Sequence, residues 1–303
     1  MKQILRTTAG EIRRILTSSG FWLAVGLALL ILFTTTAYKE ENGTTYNILS
    51  AAFQFDKGEL LFKSVYVQTL FPTTVRYSLP MYGPLIAALS FAGVLCEEQK
   101  YGVRRYLLFK EGKTSYVLSK ALSAIISSGL VFLLSAVILL VFIYWRYPLM
   151  SAQDAESFQY WLEFQSVDPN GNPILLFDWF GEHAYCLLQL IGAFIFGIFC
   201  GFIGFICTAF FSNVYLAVCV PFFFGYIYYS ITQAILGRFM EGSISMEFYN
   251  AVNSYVSPEG YMYFWRMTDS WMLNVIILLS VWIVAVLIHM LRLKNATDCG
   301  VNR

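Results

Sequence analysis

Long apolar runs alternate with polar stretches along this sequence. Six of the runs approach the roughly 20 residues needed to cross about 30 Å of hydrocarbon. They are Phe21–Tyr38, Ser78–Cys96, Lys120–Trp145, His183–Phe211, Val214–Leu236 and Ser270–Leu291. Helices are the expected form, because a lipid-exposed segment has no water to satisfy its backbone groups. Pro80 and Pro84 interrupt the start of the second run, and Pro221 predicts a kink in the fifth. Residues 1–20 follow another pattern. Ile4, Leu5, Ile12, Ile15 and Leu16 share a broad apolar face, while Lys2, Arg6, Arg13 and Arg14 supply cations. That is the pattern of an amphipathic helix lying on a membrane surface.

The expected architecture is therefore an all-α integral membrane protein, a single domain of six transmembrane helices with an interfacial N-terminal helix. Residues 97–119 connect spans two and three, and residues 39–77, 146–182 and 237–269 form the longer segments on the opposite side. The last of these carries Tyr255, Tyr261, Tyr263, Phe264 and Trp265, which suit an interfacial aromatic belt or an exit gate. The segment before span four carries a turn signal, DPNGNP, at Asp168–Pro173.

Composition agrees with this pattern: 58% of residues are hydrophobic and 13% charged, against about 25% charged in soluble domains. The distribution of charge sets the orientation. The termini, the 97–120 segment and the Ser212–Asn213 turn carry 13 of the 20 Lys/Arg and five of the 19 Asp/Glu. The Lys/Arg bias places that side in the cytoplasm. A cell membrane is the expected location, most simply a bacterial plasma membrane, with both termini cytoplasmic. The first 20 residues are too polar for a cleavable signal peptide. Of the six cysteines, Cys186, Cys200, Cys207 and Cys219 lie in apolar runs. They read as small core residues, with no disulfide framework or metal site implied.

The spans carry no Asp, Glu, Lys or Arg between their ends. Ion-coupled transporters commonly place carboxylates or histidines at mid-depth, so any uphill transport here would draw its energy from outside the bilayer. His289 is expected near the cytoplasmic interface and His183 at an outer boundary. No zinc-protease motif, nucleophile elbow or membrane aspartate pair occurs, so no catalytic residue is expected. Gly112-Lys113-Thr114 resembles the end of a phosphate-binding loop. The full pattern needs glycine where Leu107 stands, so no nucleotide site is expected. Ala193, Gly197 and Gly201 recur every fourth residue in span four, beside Gly192 and Gly204. Such a small-residue face serves helix packing within the bundle or a contact between copies.

The most informative stretch is Glu97–Lys120, EEQKYGVRRYLLFKEGKTSYVLSK. It is too long for a simple turn and too apolar for a solvated one. It reads as a membrane-surface helix or as a helix that docks into a partner's groove. Tyr106, Leu107 and Leu108 are the candidate anchors, and Arg104 and Arg105 the candidate rim charges.

Here the sequence resembles the type-2 ABC exporter permeases. In that family a glutamate after span two is often followed four residues later by glycine, then by leucines and a basic residue at span three. Glu98, Gly102, Tyr106-Leu107-Leu108 and Lys120 match it. Glu111 stands near the place where the family usually has proline. The resemblance implies a permease dimer, homo- or heteromeric, each subunit docked to a separate cytoplasmic ABC ATPase. ATP and Mg would bind that partner and no cofactor this chain. Glu98, Gly102, Arg104, Arg105, Tyr106, Leu107 and Leu108 would couple to the ATPase. The cargo would be amphipathic or hydrophobic, with peptide favoured, passing between subunits along a candidate pathway that includes Tyr82, Phe91, Phe223, Tyr226 and Tyr229. Lipid is the other expected partner, and nucleic acid is not expected. The alternative is a non-transport scaffold or sensor subunit that binds a cytoplasmic regulator.

Overall fold

A computed structural model describes residues 2–40, 42–101, 103–150, 179–245, 248, 252 and 271–298. The expected outer turn at Asp168–Pro173 and the aromatics from Tyr255 to Trp265 lie outside the described residues. The fold is predominantly helical, with α1 (Lys2–Leu16), α2 (Ser19–Thr34), α3 (Ile48–Gln54), α4 (Lys57–Phe62), α5 (Val67–Ser78) and α6 (Gly83–Lys100) in its first third. Then follow α7 (Val103–Glu111), α8 (Lys113–Arg146), α9 (Ala184–Phe210), α10 (Val214–Met240) and α11 (Trp271–Asp298).

By length and composition, α8, α9 and α10 can each cross a membrane. Two bent pairs, α1–α2 at 62° and α5–α6 at 70°, raise the number to five if each pair is one span. Within α11, Leu279–Arg292 is a shorter apolar stretch among the described residues.

Several expected boundaries move for visible reasons. The first apolar helix ends at Thr34 rather than Tyr38, because Thr36–Lys39 pairs antiparallel with Thr45–Asn47. This small ribbon corrects the all-α expectation. The second begins at Gly83, after a break at Leu79-Pro80-Met81-Tyr82, with Pro84 in its first turn where a missing N–H costs nothing. The preceding residues, expected to be an outer connection, form α5, whose Leu70, Phe71 and Val75 are buried. The third helix begins at Lys113, seven residues before the expected Lys120.

The centre of the bundle is the pair α8 and α9, the most extensive helix contact in the chain. Small side chains make it possible. Ser127, Ser128 and Ser135 of α8 are buried, and each hydroxyl bonds back to its own helix, that of Ser128 also lying 3.5 Å from the Ala87 carbonyl of α6. Opposite them, a Cβ on Gly197 would stand 2.7 Å from the Phe132 ring and 2.9 Å from both Gly129 Cα and the Ser128 carbonyl oxygen. The recurring small residues of span four thus serve close packing inside one chain. Phe132 and Phe196 close the pair edge to face at 5.4 Å.

Two histidines fasten helices together. Tyr144 Oη lies 2.7 Å from His183 Nδ1 and ties the C-terminal end of α8 to the start of α9. His289 is buried between helices: its ring stacks on Phe205 at 3.9 Å and joins α11 to α9. The five described cysteines are free thiols, with Cys219 exposed and the others buried.

Candidate functional site

The candidate site is where the C-terminal end of α6, α7 and the N-terminal end of α8 meet, and where α1 crosses them. Glu98 lies in the last turn of α6. Tyr116 and Lys120 lie one turn apart on α8, and Glu11 and Arg14 three residues apart on α1. Helical spacing puts each of these last two pairs on a single face.

Their side chains converge. The Lys120 ammonium is 2.6 Å from Glu98 Oε1 and 2.6 Å from Glu11 Oε2. Arg14 Nη1 donates to the same Glu98 Oε1, and Tyr116 Oη donates to Glu98 Oε2 at 3.1 Å. The Glu98 side chain is 1% exposed and that of Lys120 4%, whereas Arg14 keeps 45% of its surface in solvent. Two carboxylates and two cations make the cluster formally neutral. Full pairing is what allows charge this far from water, since a lone buried ion costs several kcal/mol. Isolated runs of sequence do not reveal the cluster, because α1 supplies half of its charges from more than 80 residues away. The helical spacing of Glu11 with Arg14, and of Tyr116 with Lys120, is the signal that could have found it.

Lys100 ends α6, and α7 folds back from it. At its far end Gly112 has φ +80°, a conformation that side chains strain to adopt, and it turns the chain directly into α8. The Gly-Lys-Thr triplet is thus the joint between two helices, with α7 rather than a strand in front of it. On α7, Leu107 and Leu108 are half-buried and pack onto the core, whereas Tyr106 is 67% and Phe109 92% exposed. Gly102 and the side chains of Arg104 and Arg105 lie outside the described residues.

The expected coupling residues therefore divide into two sets. Glu98 is locked inside the bundle, Leu107 and Leu108 hold α7 down, and Tyr106 faces outward together with Phe109, which sequence reasoning had not singled out as an anchor. The divide follows helical geometry: 106 and 109 share one face, while the intervening leucines take the other.

The candidate pathway residues also separate. Phe91 is fully buried in the core and Tyr82 stacks on Phe222 at 6.2 Å. Phe223 and Tyr226 are exposed on α10, and Tyr229 is half-buried. Among the described residues, no three His, Cys, Asp or Glu groups gather as metal ligands.

These apolar helices are those of a membrane protein. No protein-family model, curated protein or solved structure matches the chain.

Proposed function

We propose that the chain is the membrane-spanning permease subunit of an ATP-driven ABC exporter. In this reading α2, α6, α8, α9, α10 and α11 make six crossings, and both termini, α1 and α7 face the cytoplasm. A separate ATPase docks on α7 and drives an amphipathic cargo, peptide for preference, outward between two permease subunits. The observation that carries the proposal is α7 itself. It is a nine-residue helix, turned at Gly112, that exposes Tyr106 and Phe109 while its leucines and the Glu98 cluster fix its base. An exposed aromatic pair on a braced helix has the form of a docking element that inserts anchors into a partner's groove. The Lys/Arg bias of the sequence supports the orientation. Phe223 and Tyr226, on the open flank of α10, suit the wall of an apolar route.

The test replaces both anchors. Tyr106→Ala with Phe109→Ala is expected to remove the ATP hydrolysis that co-purifies with the tagged protein, by at least about tenfold, while membrane insertion survives. Phe62→Ala, also at a highly exposed phenylalanine but far from α7 in sequence, serves as the control. Retention of a full ATPase complement by the inserted double variant would refute docking on α7. Co-purification of a regulator without ATPase activity would establish the scaffold or sensor reading instead.

A further inference from the structure

The outer end of α10 carries a second feature that the export reading does not use. Phe224, Ile227, Ile231, Ala234 and Arg238 follow one another at three- and four-residue spacing and are all exposed. They form one stripe along the helix, about 100° around from the Phe223–Tyr226 flank. At its outer end the stripe opens into a groove of about 600 Å³, lined by Ile231, Ala234, Ile235 and Arg238 on one side and by Ser243 and Phe248 on the other. Arg238 forms no ion pair among the described residues, and exposed Glu241, one turn further on, leaves it unpaired.

Depth gives the stripe a direction. Asn213 caps α10 in the exposed turn at its inner end, its side-chain oxygen accepting from the Tyr215 N–H. Counting about 1.5 Å per residue from Val214, Arg238 stands about 36 Å along the helix. That is beyond about 30 Å of hydrocarbon, at the level of the headgroups. Ile231 lies about 10 Å deeper, within the acyl region. A cation above and an apolar trough below is the inverse of an anionic phospholipid, whose phosphate sits over its chains.

We propose that this groove holds one anionic phospholipid, its phosphate on Arg238 and one acyl chain along Ile231, Ile227 and Phe224. The inference rests on α10 crossing a membrane and not on the export reading. Charge decides against a second copy of the chain as occupant. Two parallel α10 helices meeting on this stripe would bring their Arg238 guanidinium groups together. A zwitterionic phosphatidylcholine fits less well, because it brings its own cation to the arginine.

The experiment uses the full chain reconstituted in vesicles containing photo-crosslinkable phosphatidylglycerol, with flotation reporting insertion separately. Labelling of the peptide spanning Ile231–Ser245 is expected to fall about fivefold in Arg238→Ala, the worth of one interfacial cation on an anionic surface. Arg238→Lys restores most of the labelling. Ala234→Trp, which fills the trough without touching the charge, lowers it likewise. Competition by phosphatidylglycerol but not by millimolar inorganic phosphate identifies a lipid rather than a free anion. Equal labelling in the wild type, Arg238→Ala and Ala234→Trp, all of them inserted, overturns the proposal. So does crosslinking between two copies through Arg238→Cys. A chain that fails to float with the vesicles refutes the membrane reading itself.

Discussion

Removing Lys120 or Glu98 singly, and then both together, tests the buried ion cluster. Lys120→Met leaves Glu98 held only by Arg14, half in solvent, and by the Tyr116 hydroxyl. Glu98→Leu leaves the Lys120 ammonium, 4% exposed, with Glu11 alone. Breaking a buried pair costs about 3–5 kcal/mol, because the survivor stays charged and under-solvated. Each survivor here keeps one partner, so the lower end, about 3 kcal/mol, is expected for either single change. The contact to Arg14 adds little of this, since an ion pair so open to water is worth about 1 kcal/mol or less. The double variant removes both deeply buried charges. Glu11 and Arg14 remain, opposite in charge, three residues apart on one face of α1 and with 16% and 45% of their side chains exposed, so the carboxylate can turn to the guanidinium. The double variant is therefore expected to lie within about 1 kcal/mol of the wild type, a coupling of several kcal/mol between the sites. The assay is thermal unfolding in detergent, followed by size exclusion. About 2–4 °C is lost per kcal/mol, so each single variant drops by about 6–12 °C and the double by little. If the double variant lost the sum of the two single effects, the charges would not be acting on one another, and the clamp described above would be wrong.

Gly197→Ala is expected to destabilise the chain by about 2–3 kcal/mol, at the upper end of overpacking, because two of the three atoms it meets are backbone. Gly93→Ala, where a Cβ meets nothing within 4 Å, is the matched control, and equal melting of the two would refute the packing account. Maleimide applied to intact cells is expected to label a cysteine placed at Gly43 and to spare one placed at Gly112, and the reverse pattern would invert the topology. Phe205→Ala is expected to cost about 3 kcal/mol through lost burial and the loss of its stack on His289, read as a fall in melting temperature. A change within about 0.5 kcal/mol would show that α11 does not depend on this contact.

Much of the fold was legible because apolar run length reports helix length directly. The boundaries of α9 fall within one residue of the expected fourth span, since polar or glycine-bearing segments flank a continuous apolar stretch on both sides. The first two spans were less legible. Hydropathy does not distinguish Thr34-Thr35-Thr36 within a helix from the start of a strand, and only the pairing with Thr45–Asn47 decides it. Similarly, α5 mixes Gln68, Thr73, Thr74 and Arg76 with apolar residues, so its burial depends on helices far away in sequence. The site was partly legible for the same reason. Spacing within 97–120 identified a helix with aromatic and leucine positions, which is local information. That Glu98 turns inward depends on α1, whose Glu11 and Arg14 read from sequence as part of a lipid-facing helix. The stack of His289 on Phe205 likewise joins helices far apart in sequence and leaves no local signal.

The length of α8 gives the Glu98 cluster a mechanical meaning. Its 34 residues run unbroken from Lys113 to Arg146, about 51 Å at the usual helical rise. Tyr116 and Lys120 clamp its N-terminal end to α6 and α1. At its C-terminal end Arg146 donates to the Ala52 carbonyl, and the following Tyr147 donates to the Ile48 carbonyl at 2.7 Å. Those two carbonyls belong to α3, which follows the small ribbon directly. One helix thus grips the Glu98 cluster at one end and α3 at the other, with no proline between to absorb a tilt. Under the export reading, a partner pushing on α7 would move α8 as a rod, and the displacement would reach α3 without a chain of loosely packed intermediates. Loosening the outer grip should then uncouple transport while leaving ATPase docking intact. Tyr147→Phe removes one buried hydrogen bond, worth about 1 kcal/mol, and leaves α7 unchanged. Export falling in that variant at constant ATPase co-purification is the expected result. Unchanged export would mean that the outer contacts of α8 serve stability alone.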